Sequence, residues 1–366
     1  MQPYLEERFG NPSSVYTIGR IARAAIDDAR DEIAQLLGAR SKEIIFTSGG
    51  TESNNLAIFG AVYALKSKGQ HIVTCTTEHH SVLHPCQHLI QEGFEITFIP
   101  VDAHGKIDLE TFSHALRPDT ILVSIMSANN ETGTHQAILE MGALCREHRV
   151  LFHCDAIQSF GKEQVNVEEW KVDLLSITAH KFYGPKGIAA LYIRTGTPLQ
   201  PSLIGGSHEN ERRAGTENVA AIVGMATAAR LTTKQTEEEN CRLFDLTEKL
   251  WNHLSTAIPH IHRNGHPVDR LGNTLNVSFE GCDGEGLIMG LDLEGIAVSS
   301  GSACMVGSLQ SSHVLKAMGL KEQLARAAVR FSLGTNSREK DLPEIIKYVV
   351  HIVEQLRHTS PFSSVA

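Results

Sequence analysis

Between residues 43 and 193 the chain returns repeatedly to short, almost wholly apolar runs, and nothing else in it restricts the fold so strongly. EIIFTS (43–48), HIVTCT (71–76), EITFIP (95–100), TILVSIMS (120–127), VLFHC (150–154), DLLSIT (173–178) and IAALYI (188–193) are these runs. Runs of that length, with little polar alternation, suit strands covered on both faces. Between them the spacing turns helical. From Gly19 to Leu37 the apolar residues Ala22, Ala25, Ile26, Ala29, Ile33, Leu36 and Leu37 share one face, and Gly38 supplies a stop. A second helix is expected from GGTESNN to about Lys68, with Gly69 as its C-cap, and a third between 76 and 95. Strand and helix in alternation predict an α/β protein with a largely parallel sheet. The run at 188–193 follows a tight turn and is expected to pair antiparallel.

The pattern changes after about residue 236. Two long helices, 216–233 and 237–257, lead to sparser strands at 273–280, 295–300 and 330–334, with helices at 284–292, 311–318 and 341–358. This predicts a large α/β domain over 15–236 and a smaller α+β domain formed by 1–14 and 237–366. A length of 366 residues accommodates both. The net charge of −9 argues against a nucleic-acid surface, and no run is long enough to span a membrane. The first residues have no signal-peptide character, and seven cysteines without CxxC pairs fit reduced thiols in a cytosol. No internal repeat stands out.

Polar residues cluster where the apolar runs end. In open α/β sheets ligands bind beyond the carboxyl ends of the strands. After 173–178 come Thr178, His180, Lys181 and a turn on Gly184, Pro185 and Gly187. A lysine there suits a Schiff base to a phosphate-bearing aldehyde cofactor, although a lone loop lysine is more often only solvated. Gly49-Gly50-Thr51 opens a helix, and its free N–H groups with the Thr51 hydroxyl suit a phosphate; an ordinary N-cap explains them as well. The stretch lacks the GKS or GKT ending of a P-loop. His79 ends another strand and could stack on a planar ring. His80, His84 and His88 stand at i, i+4, i+8, but Pro85 is expected to interrupt the helix and no carboxylate completes a metal set. Asp155 is costly after an apolar strand unless paired; a protonated pyridine nitrogen is one partner, and capping the next helix is the commoner role. Asn130 and Gln158 lie in similar clusters. Thr216 is an N-cap or a second phosphate ligand. Arg330, on a strand edge, suits either a substrate carboxylate or a structural ion pair. Cys304 stands among Ser, Gly and Ala, unlike Cys75 and Cys145, and a thiol there is a candidate travelling nucleophile.

Taken together, TSGGTESNN, TEHHSV, SANNETG, CDAIQS, TAHKFYGPKG, RRAGTEN, SSGSAC and VRFSLG resemble, in content and order, the motifs of cysteine desulfurases of the NifS/IscS type, within the class V aminotransferases. The likeness runs from Gly10 to about Pro361. It implies a pyridoxal-phosphate-dependent transferase of fold type I. Lys181 would hold the cofactor covalently, Asp155 would face the pyridine nitrogen, Gln158 the ring hydroxyl and His79 the ring face. Gly50, Thr51, Thr178 and His180 would hold the phosphate, with Thr216 reaching in from the partner of a homodimer. Asn130 and Arg330 would orient L-cysteine, and Cys304 would take its sulfur as a persulfide, leaving L-alanine. His79 would also handle the proton of the substrate thiol. A sulfur-acceptor protein, such as an iron–sulfur scaffold or a relay, would be the partner. No standing metal is implied, Cys304 at most ligating a cluster in passing.

Three departures accompany the likeness. The family's strand and Ala-Thr-Thr-Pro turn ahead of GNPSS are missing, which predicts a less complete small domain. Tyr16 and Thr178 stand where histidine and serine are common. The sequence ends at SPFSSVA without the tail of scaffold-loading members, so docking to such a scaffold does not follow. A selenocysteine lyase, or a catalytically silent sulfur-assembly partner, would use the same scaffold.

Overall fold

The seven apolar runs condense into one sheet. A computed structural model of the chain describes residues 1–300 and 311–359. Its strands are β1 (Ile44–Thr47), β2 (His71–Cys75), β3 (Glu95–Ile99), β4 (Thr120–Met126), β5 (Leu151–Asp155), β6 (Leu174–Thr178) and β7 (Ala189–Ile193). They lie in the order β1-β7-β6-β5-β4-β2-β3, and only β7 runs against its neighbours, as its position after a turn implied. Every residue of β1, β2, β4, β6 and β7 is buried, whereas β3, at the edge, is only partly so. The helix Gly50–Leu65 packs Leu56, Ala57, Ala61 and Val62 with Ile45, Ile72, Leu122 and Leu174 of the strands, which fixes its first turn near the sheet's carboxyl edge.

The chain divides into two units. The first comprises Met1–Ile99, Leu109–Ser127 and Ala137–Thr236; the second comprises Pro100–Asp108, Ala128–Gln136 and Glu237–Ala366. Residues 1–14, expected with the small domain, fall in the first unit, and two excursions from the large domain belong to the second. The Gln136 side chain ties the two excursions together, accepting from Ile107 N and donating to Gly105 O, while Lys106 bonds to Asp269 and the backbone Leu271 N donates to Gly133 O. The second unit is built on an antiparallel sheet of β8 (Ile261–Asn264), β9 (Thr274–Phe279), β10 (Ser299–Ser300) and β11 (Ala328–Ser332), in the order β10-β11-β9-β8. Leu275, Val277, Phe279, Val329 and Phe331 pack there with the helices Thr236–Ala257, Gly284–Leu293 and Leu342–Thr359.

Several local expectations change. The helix after β1 ends at Leu65, and Gly69 is not its cap; a Cβ at Gly69 would come within 2.2 Å of Asp119 O, so close approach explains the glycine. Pro85 sits inside the helix His80–Gln91 without breaking it. The Ser81 carbonyl that a proline at this position leaves unbonded receives Asn55 Nδ2 at 3.5 Å instead. The helix expected from 216 begins at Val219, capped by Asn218, whose side chain accepts from Ala221 N; Thr216 is therefore not the cap. β8 carries no apolar run in the sequence, because IHRN is short and three of its four residues are polar. Among the described residues, no helix is long and apolar enough to cross a membrane.

Candidate active site

Because β1, β2, β4, β5 and β6 run the same way, the segments that follow them emerge on one edge of the sheet. There, in the first unit, stand Gly50, Thr51, His79, Asp155, Gln158, Thr178, His180 and Lys181.

Asp155 ends β5 and is buried. Its Oδ1 accepts from Ile157 N at 3.0 Å and its Oδ2 from Asn54 Nδ2 at 2.7 Å. Burial raises its proton affinity, and the bonds from Ile157 N and Asn54, with the Lys181 ammonium, offset this only in part. Asn54 Nδ2 also reaches Ser81 Oγ at 2.9 Å, and Ser81 Oγ lies 2.8 Å from His79 Nδ1. Asp155 and His79 are thus joined through Asn54 and Ser81. His79 caps its helix, Nδ1 accepting from Ser81 N at 3.1 Å, so the neutral ring carries its proton on Nε2. Burial, with His80, Lys181 and His84 nearby, holds its pKa down to about 4. Behind it, Glu78 is fully buried, accepts from Met126 N at 2.8 Å, and is pushed well above the usual carboxyl range by burial and Asp155.

The helix Gly50–Leu65 presents its first N–H groups and the exposed Thr51 here. A Cβ on Gly50 would meet Ile157 Cδ1 at 2.3 Å and Thr178 Cβ at 3.7 Å, so the helix start and the end of β6 are neighbours. The Thr178 hydroxyl lies 3.2 Å from His180 Nδ1 and 3.3 Å from Ile188 O. Glu52 accepts from Ser48 N at 2.7 Å and from Arg213 Nε at 2.8 Å, which pins the loop leading to Thr216 against this helix. Thr216 itself is exposed. Gln158 Oε1 accepts from Lys162 Nζ at 2.9 Å, which turns its amide nitrogen into the remaining donor.

The set suits pyridoxal phosphate. A buried carboxylate incompletely offset by cations suits a ring N–H⁺, a helix start beside two hydroxyls suits a phosphate, and a lysine charge felt by both Asp155 and His79 suits an aldehyde between them.

In the second unit Asn130 and Arg330 are together. Arg330 Nη1 donates to Asn130 O at 2.6 Å, and Asn130 Oδ1 is buried with no partner among the described residues. Arg330 is not on an edge: β11 is flanked by β10 and β9, with Ser299 and Asn276 opposite Arg330. Cys304 lies outside the described residues. Of the other cysteines, Cys75, Cys86, Cys145 and Cys154 are buried, with burial raising each thiol, to about 12 for Cys75 and Cys86. His80 and His84 stack at 4.8 Å and His88 pairs with Glu92. Asn54, Ser81, Glu78 and Glu131 lie inside the sequence motifs, but the sequence assigns them no role. The available signal was polarity on an otherwise apolar buried face, as Ser53 and Asn54 show in the helix Gly50–Leu65.

The chain matches the family described as Aminotransferase class-V over residues 1–345, and it belongs to that family, whose members of this branch are pyridoxal-phosphate enzymes of fold type I. It is 50% identical over 362 residues to a cysteine desulfurase IscS of Dictyoglomus turgidum, covering 99% of this chain and 92% of the relative. A cysteine desulfurase IscS of Methanosarcina thermophila is 47% identical, with 99% and 90% covered. A solved structure described as a NifS-like protein superposes with a TM-score of 0.91 at 34% identity, covering 97% of this chain and 94% of that one. Within the class-V family the chain stands among the cysteine desulfurases.

Proposed function

We propose that this cysteine desulfurase takes the sulfur of L-cysteine onto Cys304 as a persulfide and releases L-alanine. The observation that carries the assignment of roles is the hydrogen-bonded file Asp155–Asn54–Ser81–His79, with the Lys181 charge acting on both ends. Lys181 would hold pyridoxal phosphate by its aldehyde, Asp155 would face the ring nitrogen and Gln158 would donate to the ring hydroxyl. Gly50, Thr51, Thr178 and His180 would bind the phosphate. When bound, the cofactor supplies an electron sink for negative charge at the substrate's α-carbon.

The protein groups do the rest. Asn54 and the Ile157 N–H favour the anionic form of Asp155 against its burial. His79 offers a neutral ring face and an Nε2–H. Acting as a base, it would first have to give up the bond from Ser81 N, so stacking and donation fit its geometry better. Arg330 takes the substrate carboxylate, and the unpartnered Asn130 Oδ1 accepts from a substrate donor. The Cys304 thiolate attacks the substrate sulfur; the S–S bond forms as the Cβ–S bond breaks, and the electron pair left on Cβ takes up a proton to give alanine.

A homodimer is part of the same reading. Thr216 is exposed, and the first unit also exposes Leu5, Phe9, Val15, Leu203 and Ile204, apolar residues suited to a second copy. A sulfur-acceptor protein, in a cytosolic setting, completes it.

Turnover of L-cysteine by the protein and by Cys304→Ala, following alanine and sulfide, tests this. Alanine from the parent and almost none from an equally yellow variant is expected. Equal turnover would remove Cys304 from the mechanism and favour a lyase.

A further inference from the structure

Glu131 has no role in the reading above, yet it is a fully enclosed acid in the middle of the second unit's polar groups. It is 1% exposed, and Ser312, which donates to its Oε2, is 4% exposed. Ser312 is the N-cap of the helix His313–Ala317: its Oγ accepts from Leu315 N at 3.1 Å, so its own hydrogen goes to Glu131. The main chain of Glu131 is held as firmly. Its N–H donates to Asn129 Oδ1 at 2.9 Å, and its carbonyl accepts from Asn276 Nδ2 at 3.1 Å. Asn276 stands opposite Arg330 in the sheet, and Arg330 donates to Asn130, the residue before Glu131. Burial lifts the Glu131 carboxyl to about 7, while Ser312 and Arg330 oppose that rise.

The chain path gives this cluster a purpose. Residues 301–310, which contain Cys304, begin after Ser300 and end before Ser311. β10, the strand that precedes them, pairs Ser299 with Arg330 and Ser300 with Val329. Ser312, just beyond them, bonds to Glu131. Both attachment points of the thiol-bearing segment are therefore tied to the Asn130–Arg330 pair.

We propose that Glu131 is a positioning residue for sulfur transfer: through Ser312 it fixes the return point of the Cys304 segment to the pair that takes the substrate carboxylate. The inference rests on the desulfurase reading of Cys304 and Arg330. An error of an ångström in the approach of a nucleophile costs on the order of a hundredfold in rate, so one side-chain bond at the segment's root has leverage.

The test compares the holoenzyme with Glu131→Ala, Ser312→Ala, their double variant, and Glu131→Gln, which keeps an oxygen for Ser312. Each alanine variant is expected to lower kcat for alanine formation roughly tenfold, with KM for cysteine within about threefold. The double variant is expected to lose no more than either single one, and Glu131→Gln to retain most of the parent rate. Without substrate, both alanine variants should change the rate at which iodoacetamide alkylates Cys304, read by mass spectrometry. Losses that multiply in the double variant, a rise in KM that matches the fall in kcat, or parent-like kcat with parent-like alkylation would each overturn the proposal. Should Glu131→Ala fail to fold, Ser312→Ala and Glu131→Gln decide it alone. If the parent makes no alanine, the desulfurase reading fails instead, and the alkylation comparison still judges Glu131.

Discussion

At the scale of single residues, the site depends on one amide. Asn54 Nδ2 bonds both Asp155 Oδ2 and Ser81 Oγ, and Asp155 is already raised by burial. Removing that amide with Asn54→Leu withdraws a donor from the charged form of Asp155, so its pKa rises further. A carboxyl whose folded pKa rises loses its anion at a higher pH as the solution is acidified. The acid limb of the pH–kcat profile should therefore move to higher pH, with turnover down about tenfold at neutrality; an unmoved limb would show that Asn54 does not set Asp155. His79 gives a second check. Its ring should stay neutral and Nε2-protonated from pH 5 to 8, because its pKa is about 4; a nitrogen NMR titration with a midpoint near the ordinary ~6.5 would contradict that. Lys181, Asp155 and His79 were legible in the sequence because each follows an apolar run, the one local mark of a strand's carboxyl end. Asn54 was not legible, since its partner Asp155 is 101 positions away, and neither was Glu131, 181 positions from Ser312. Such pairings exist only once the sheet is formed.

At the scale of elements, the turn that carries the loop to Thr216 holds backbone that residues other than glycine seldom adopt. Glu209, Asn210 and Glu211 have φ of 49°, 55° and 63°, three consecutive left-handed residues without a glycine. What holds them is Glu209, buried, accepting from Arg30 Nη1 and Nη2 at 2.6 and 2.8 Å and from Phe46 N at 3.0 Å. The exposed Glu211 has no comparable anchor. Glu211→Gly should therefore stabilise the protein by up to about 1 kcal/mol, relief of the Cβ clash outweighing the added freedom of the unfolded chain. Arg30→Met should destabilise it by about 3 kcal/mol or more, because Glu209 is left as a buried, uncompensated charge. Denaturant titrations measure both, and a destabilised Glu211→Gly would mean that its side chain supports the turn. The apolar runs revealed the seven strands of the large sheet, most of them because burial on both faces leaves an unbroken apolar run, and the tight turn before β7 revealed its antiparallel sense. Periodicity missed β8, where burial is partial, and misplaced the start of the helix Val219–Thr233, where the Asn218 side chain decides the cap.

At the scale of the whole molecule, the large sheet carries its own sensitivity to acid. His153, in the middle of β5, is fully buried between Ser124 Oγ at 2.8 Å and Ser176 Oγ at 3.0 Å, so one imidazole bridges three strands. Burial depresses its pKa to about 3. In the unfolded chain the same ring titrates near ~6.5. Between those values the unfolded state takes a proton that the folded state refuses, so stability is lost as pH falls through about 6.5 and continues to fall until the folded group protonates. His79 and the buried His71, also lowered, act in the same direction. Glu131 acts oppositely: its carboxyl, raised to about 7, holds a proton in the folded state that the unfolded chain releases above its ordinary carboxyl value, and so it gains stability as pH falls towards that value. The histidine contribution can be isolated by replacing the whole polar file with Ser124→Ala/His153→Leu/Ser176→Ala, which leaves no hydroxyl unpaired. From pH 6.5 to 5 the parent should lose about 1.7 kcal/mol more than this triple variant, the linkage of one proton that the unfolded ring already half holds at pH ~6.5. Urea unfolding at the two pH values measures the difference. Parallel losses in both proteins would mean that the sheet opens to solvent before His153 titrates, and that the acid sensitivity resides in its surface rather than in its core.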